Sequence, residues 1–196
     1  MSRALGSRLS ENSDNRIRTV PMQVKPGSPT ILAMKTSIAS SALRRGRRSL
    51  PGQTYLLTTS TADRRPWFAQ HMVAAAAVDV LGDRATWPAA LPLVWVLMPD
   101  HLHLLIELCG GESLARVMAR IKGLIWLEVR AQLRVPDRLW QASFHDHALR
   151  QDENLLRVGR YLLENPVRAR LVDRPAQWRW RGGEMLEQIE AELPWS

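Results

Sequence analysis

Two apolar runs, residues 91–97 and 101–108, are separated only by Met98-Pro99-Asp100. Proline presets its own φ, and aspartate bonds its local backbone, so the chain reverses at this tripeptide. Bounded apolar runs of this length read as strands, and the pair reads as a hairpin. A hairpin in mid-chain commits the fold to an antiparallel sheet. The flanking segments supply its partners. Residues 54–61, rich in Thr, Leu and Tyr after Pro51-Gly52, predict a strand. Residues 67–81, rich in Ala and Val between Pro66 and Gly82, predict a helix. Gly110-Gly111 closes the hairpin. Ser113 then caps a helix over 114–133, with apolar residues at 114, 117, 118, 121, 124, 125 and 129 on one stripe. Pro136 ends that segment, and residues 139–149 alternate as a fourth strand. Asp152 caps a last helix that Pro166 stops or kinks. The order β-α-β-β-α-β-α predicts an α+β, ferredoxin-like split βαβ fold. Its antiparallel sheet has four to five strands with helices packed on one face.

Composition bounds the class. The chain has 196 residues, 45% of them hydrophobic, enough for one domain with its own core and a disordered extension. The lone cysteine, Cys109, excludes a disulfide scaffold and a CxxC metal or redox site. The longest apolar run, residues 88–99, falls well short of the ~20 residues of a membrane-spanning helix. No apolar leader stands near the start. A cytoplasmic protein with no membrane partner is expected. The net charge of +8 is uneven. Residues 1–50 hold 10 basic and 2 acidic side chains, residues 113–181 hold 14 and 7, and residues 182–196 hold 4 acidic and no basic ones. A basic arm and a basic middle suit a polyanionic partner, and equally a solvated arginine-rich surface. Residues 1–40, rich in Ser, Arg, Asn and Pro without a period, read as a disordered extension or as sequence upstream of a true start at Met34. The domain is expected over 41–181, with an acidic tail over 182–196.

The chemistry concentrates in three places. His101-Leu102-His103 sits on a predicted strand, where residues i and i+2 share a face. Two adjacent imidazoles suit one divalent metal, or stand as two hydrogen-bonded histidines at a strand start. Tyr161, one of two tyrosines, lies mid-helix with Asn165 one turn later on the same face. A phenol and an amide there suit a nucleophile and a hard ligand, or a half-buried tyrosine with a C-cap before Pro166. In Phe144-His145-Asp146-His147, His145 and His147 also share a strand face. They form a second metal pair, complete a four-histidine hydrolase site with His101 and His103, or point into a polar groove.

Met98-Pro99-Asp100-His101-Leu102-His103-Leu104-Leu105 after an apolar strand resembles the HUH strand of single-tyrosine transposases. Leu139-Trp140-Gln141, Phe144-His145-Asp146-His147-Ala148-Leu149-Arg150 and Tyr161-Leu162-Leu163-Glu164-Asn165-Pro166-Val167-Arg168-Ala169 resemble one branch. That branch is the REP-associated tyrosine transposases, of the IS200-like family. Residues 41–47, Pro51-Gly52-Gln53-Thr54-Tyr55 and Ile121-Lys122-Gly123 are similar to it too, so the resemblance covers about 41–181. It implies a ferredoxin-like HUH domain that cuts and rejoins single-stranded DNA at hairpins formed by palindromic repeats. His101 and His103 would be the metal ligands and Tyr161 the nucleophile. Asn165 would be the third ligand of Mg²⁺ or Mn²⁺. A 5′-phosphotyrosine intermediate, no nucleotide cofactor and a monomer are likewise implied. Arg44, Arg45, Arg47, Lys122, Arg150 and Arg168 are candidate phosphate contacts, and Trp178 and Trp180 candidate stacking platforms. The family's Trp-Ser-Ser stretch is replaced by Trp178-Arg179-Trp180-Arg181-Gly182-Gly183, and residues 1–40 have no counterpart. A catalytically silent hairpin-binding protein or regulator is the alternative.

Overall fold

The computed structural model describes residues 49–132, 138–150 and 153–192, all within one compact unit, Ile38–Ser196. The expectations for residues 1–40, Arg44, Arg45, Arg47, Pro136 and Asp152 lie outside the described residues. Strands β1 (Thr54–Ser60), β2 (Ala90–Met98), β3 (His101–Leu108), β4 (His145–Ala148) and β5 (Arg181–Gly182) form one sheet. Its order is β4-β1-β3-β2-β5, and every neighbouring pair is antiparallel. Helices are α1 (His71–Gly82), α2 (Leu114–Gln132), α3 (Leu155–Leu163), α4 (Asn165–Arg168) and α5 (Leu186–Glu192). The first four strands with α1 and α2 make the split βαβ layout that the hairpin demanded. Pro99 and Asp100 alone span the turn, since Met98 pairs with His101.

Strand alternation sorts the core into two layers. On one face Leu57, Leu102, Leu104, Ile106 and Leu108 pack against Val73, Ala74 and Ala77 of α1 and Val117, Met118, Ile121 and Ile125 of α2. On the other, Val94, Val96, Met98 and Leu105 meet Leu162 and Leu163 of α3 and Ile189 of α5. So the βαβ helices share a face as expected, but α3 and α5 cover the opposite one. The cause is legible in β2: residues 93–98 are apolar without alternation, which marks a strand buried on both faces.

Further differences follow from tertiary context. β4 is shorter than the predicted strand. Trp140 joins the sheet only by an isolated bridge to Thr61. The helix expected to run up to Pro166 is α3, and it is capped by Asn154, whose side chain accepts from Arg157 N at 3.1 Å. Pro166 does not end helical structure but opens α4, where a missing N–H is tolerated. The acidic end of the chain, set apart by its charge, is built into the fold over 182–192. Gly182 pairs with Trp95, and Ile189 is fully buried. Gly159 of α3 permits this contact, because a Cβ there would stand 2.5 Å from Ile189 Cδ1. Among the described residues no helix is long and apolar enough to cross a membrane.

Candidate active site

β3 is flanked on both sides, so its register is fixed, and alternation turns His101 and His103 toward the face that α3 covers. Ser60 lies opposite His101 and Thr58 opposite His103. Thr58 Oγ1 is 2.9 Å from His103 Nδ1, and Asp100 Oδ1 is 2.5 Å from His101 Nδ1. With each Nδ1 engaged, the two Nε2 atoms face each other at 3.0 Å, on rings that stand perpendicular with centroids 4.6 Å apart. Facing lone pairs repel, so a proton or a cation belongs between them. Two nitrogens each about 2.1 Å from one cation, at right angles, are about 3.0 Å apart. The pair therefore fits a divalent metal. Hydrogen-bonded outer partners on both Nδ1 atoms are the usual means of aiming such ligands.

The electrostatics agree with that fit. Burial holds His103 well below the usual histidine range, and the charges of His101, Arg168 and Arg64 push the same way against Asp100. Its imidazole is thus neutral at neutral pH, the form a metal requires. Burial raises the Asp100 carboxyl, but hydrogen bonds and charge from His101 and Arg64 outweigh it and leave it below the usual range. Asp100 Oδ2 also pairs with Arg64 at 3.1 Å. Arg64 arrives on a strained turn: Asp63 and Arg64 have φ of 54° and 55° in succession. Thr61 Oγ1 pins that turn to Arg65 O at 2.7 Å and Asp100 O at 3.0 Å. Left-handed residues other than glycine cost about 1–2 kcal/mol each, and such strain concentrates at functional sites.

Tyr161 sits on α3 beside its buried anchors Leu162 and Leu163 and is itself 37% exposed. α3 packs on the histidine-bearing face of the sheet through Leu162 and Leu163, and Tyr161 stands on the exposed side of that helix. Pro166 has no N–H to return to Leu162 O. Asn165 Nδ2 supplies it instead at 3.0 Å, with a longer 3.3 Å bond to Tyr161 O. The amide nitrogen is thus committed to the helix end, and the oxygen is the atom left for a ligand role. Arg168 lies over the Tyr161 ring, 3.8 Å from its centroid.

Other expected groups separate. His145 shares the face and cross-strand row of Thr58 and His103, but two strands from His103, about 10 Å at normal sheet spacing. His147 is 3.3 Å from Glu153. Among the described residues no three His, Cys, Asp or Glu side chains gather as a ligand set, so the four-histidine site does not assemble. Lys122 sits on α2, behind the sheet, and donates to Gln141 O at 2.5 Å while its own carbonyl accepts from Trp140 Nε1 at 3.1 Å. Its two bonds tie α2 to the 140–141 segment, and burial with the nearby charge of Arg138 lowers its ammonium pKa. Arg150 is exposed just past β4. Trp178 donates to Leu97 O at 3.0 Å, and Trp180 is flanked by Arg179 and His71. Sequence reasoning did not single out Thr58, Asp100 or Arg64 as site residues. Asp100 had a signal, a carboxylate abutting the H-x-H, whereas Thr58 and Arg64 depend on register and turn geometry.

The comparisons with known proteins bear on the fold. No family model matches the chain, and no curated protein matches its sequence. Among solved structures it is similar to a REP-associated tyrosine transposase bound to a REP hairpin. The identity is 23%, over 76% of this chain and 86% of that one, with a TM-score of 0.57. A Deinococcus radiodurans protein assigned to the transposases aligns at 20% identity, over 59% of this chain and 93% of that one, with a TM-score of 0.45. The chain therefore has the fold of a REP-associated tyrosine transposase, as the resemblance implied.

Proposed function

We propose that this chain is a transposase-like, metal-dependent transesterase that cuts and rejoins single-stranded DNA beside a hairpin. The observation that carries the reading is the facing Nε2 pair of His101 and His103, 3.0 Å apart and aimed by Asp100 and Thr58. It lies on the sheet face covered by α3, the helix that carries Tyr161. His101 and His103 would hold Mg²⁺ or Mn²⁺, with the Asn165 amide oxygen as the candidate third ligand. When bound, the ion supplies Lewis-acid polarisation of a nonbridging phosphate oxygen. Tyr161 supplies the nucleophile. Its phenolic oxygen forms a bond to phosphorus, and the bond from phosphorus to the 3′ oxygen breaks. The phenol loses its proton, and the leaving 3′ oxygen gains one. The products are a 5′-phosphotyrosine and a 3′-hydroxyl. Another 3′-hydroxyl reverses the exchange, so rejoining needs no nucleotide cofactor. A hairpin partner is favoured because the similar transposase is itself bound to a REP hairpin. Arg150 and the Trp178–Arg181 stretch are candidate contacts for the flanking strand.

The test is incubation of the full chain with hairpin-bearing single-stranded DNA and Mn²⁺. A covalent protein–DNA adduct is expected, absent without metal and absent in Tyr161→Phe. Hairpin binding without adduct would instead identify the silent hairpin-binding protein.

A further inference from the structure

We propose that Arg168 is the positioning residue of Tyr161, holding the phenol ring in place for attack rather than contacting the DNA backbone. This rests on the reading of Tyr161 as nucleophile. In an uninterrupted helix, residues seven apart lie about 10.5 Å apart along the axis. Here the helix is interrupted at Glu164, and Arg168 on α4 reaches back over the end of α3. Three contacts fix its guanidinium. It stacks 3.8 Å from the centroid of the Tyr161 ring. Its Nη2 donates to Tyr161 O at 2.5 Å, and its Nη1 pairs with Glu164 Oε2 at 3.2 Å. Glu164 is anchored in turn by Arg160 at 3.0 Å.

The chemistry of the group suits this role. A planar guanidinium held by two oxygens presents its face to the ring, whose negative quadrupole attracts the cation. A tyrosine on an exposed helix surface otherwise samples several rotamers, and the stack selects one. In-line attack depends on such selection, since a small misplacement of the nucleophile slows it steeply. Lysine carries the charge but cannot reproduce the planar fork.

The experiment compares wild type, Arg168→Ala and Arg168→Lys in the full chain, with hairpin single-stranded DNA and Mn²⁺. At saturating DNA, adduct formation is expected to fall by roughly 10- to 100-fold in both variants. The hairpin Kd is expected to stay within about threefold. A raised Kd that lysine restores, with an unchanged rate at saturation, overturns the proposal and marks Arg168 as a phosphate contact. A second readout needs no activity. With ¹³C-tyrosine the chain gives ring signals from only Tyr55 and Tyr161, since it has 2 tyrosines. In Arg168→Ala the Tyr161 signals are expected to move toward those of free tyrosine while buried Tyr55 stays. Unmoved Tyr161 signals overturn the proposal. If wild type forms no adduct, the transesterase reading fails, and the ring signals still decide whether Arg168 holds Tyr161.

Discussion

The hairpin that carries His101 and His103 and the corner that carries Tyr161 are held in opposite ways. β3 is paired on both sides, His103 is 3% exposed, and each imidazole has an outer partner on Nδ1. The corner lies at the surface, where Tyr161 is 37% exposed and the helix end is closed by side chains of Asn165 and Arg168. A metal site works only within a narrow geometry, so it belongs on strands locked by register and outer hydrogen bonds. A nucleophile that forms and releases a covalent bond to a long polymer needs access, and local contacts suffice to aim it. The two halves should therefore fail separately.

Tyr161→Phe breaks the comparison most sharply. Adduct formation should vanish while Mn²⁺ affinity is unchanged, as measured by gel and by titration of the free protein. His103→Ala should do the reverse at the source. It removes one of two converging nitrogens, and Mn²⁺ affinity should fall by at least ~100-fold while Tyr161 keeps its ring environment by NMR. Asp100→Asn keeps a side chain in place but removes the charge behind His101, so a loss of roughly 10- to 100-fold in Mn²⁺ affinity is expected. Ile189→Ala empties a fully buried position between α5 and α3. It should lower unfolding stability by about 2–5 kcal/mol in denaturant titrations without changing Mn²⁺ affinity of the folded protein. Lys122→Met should matter least. It strands the Gln141 carbonyl at a cost of about 1 kcal/mol, while hairpin affinity holds. A large drop in hairpin affinity there would return Lys122 to the DNA contacts.

The same contrast explains what the sequence made readable. The Pro99-Asp100 turn, the alternation of β3 and the stripe of α2 are local signals, and each sits where the pattern put it, except that Leu124 of the stripe is exposed. The histidine pair followed from alternation alone, because i and i+2 on a strand cannot diverge. The second helical layer was less visible, since an unbroken apolar run such as 93–98 does not say what covers its far face. The acidic end looked like a tail because charge dominates its composition. Its fully buried apolar anchor, Ile189, acquires meaning only beside Gly159. Thr58 and Arg64 were out of reach for a similar reason. A threonine becomes a partner of His103 only through register, and no local pattern announces left-handed Asp63 and Arg64.

The account stands on the two Nε2 atoms sharing one cation. Pulsed electron paramagnetic resonance of Mn²⁺ bound to ¹⁵N-histidine-labelled protein reads those nitrogens directly. Couplings to two histidine nitrogens are predicted, with one lost in His101→Ala and both retained when His145 and His147 are replaced. Mn²⁺ bound without histidine coupling, or coupling that disappears with His145 and His147 instead, would contradict it.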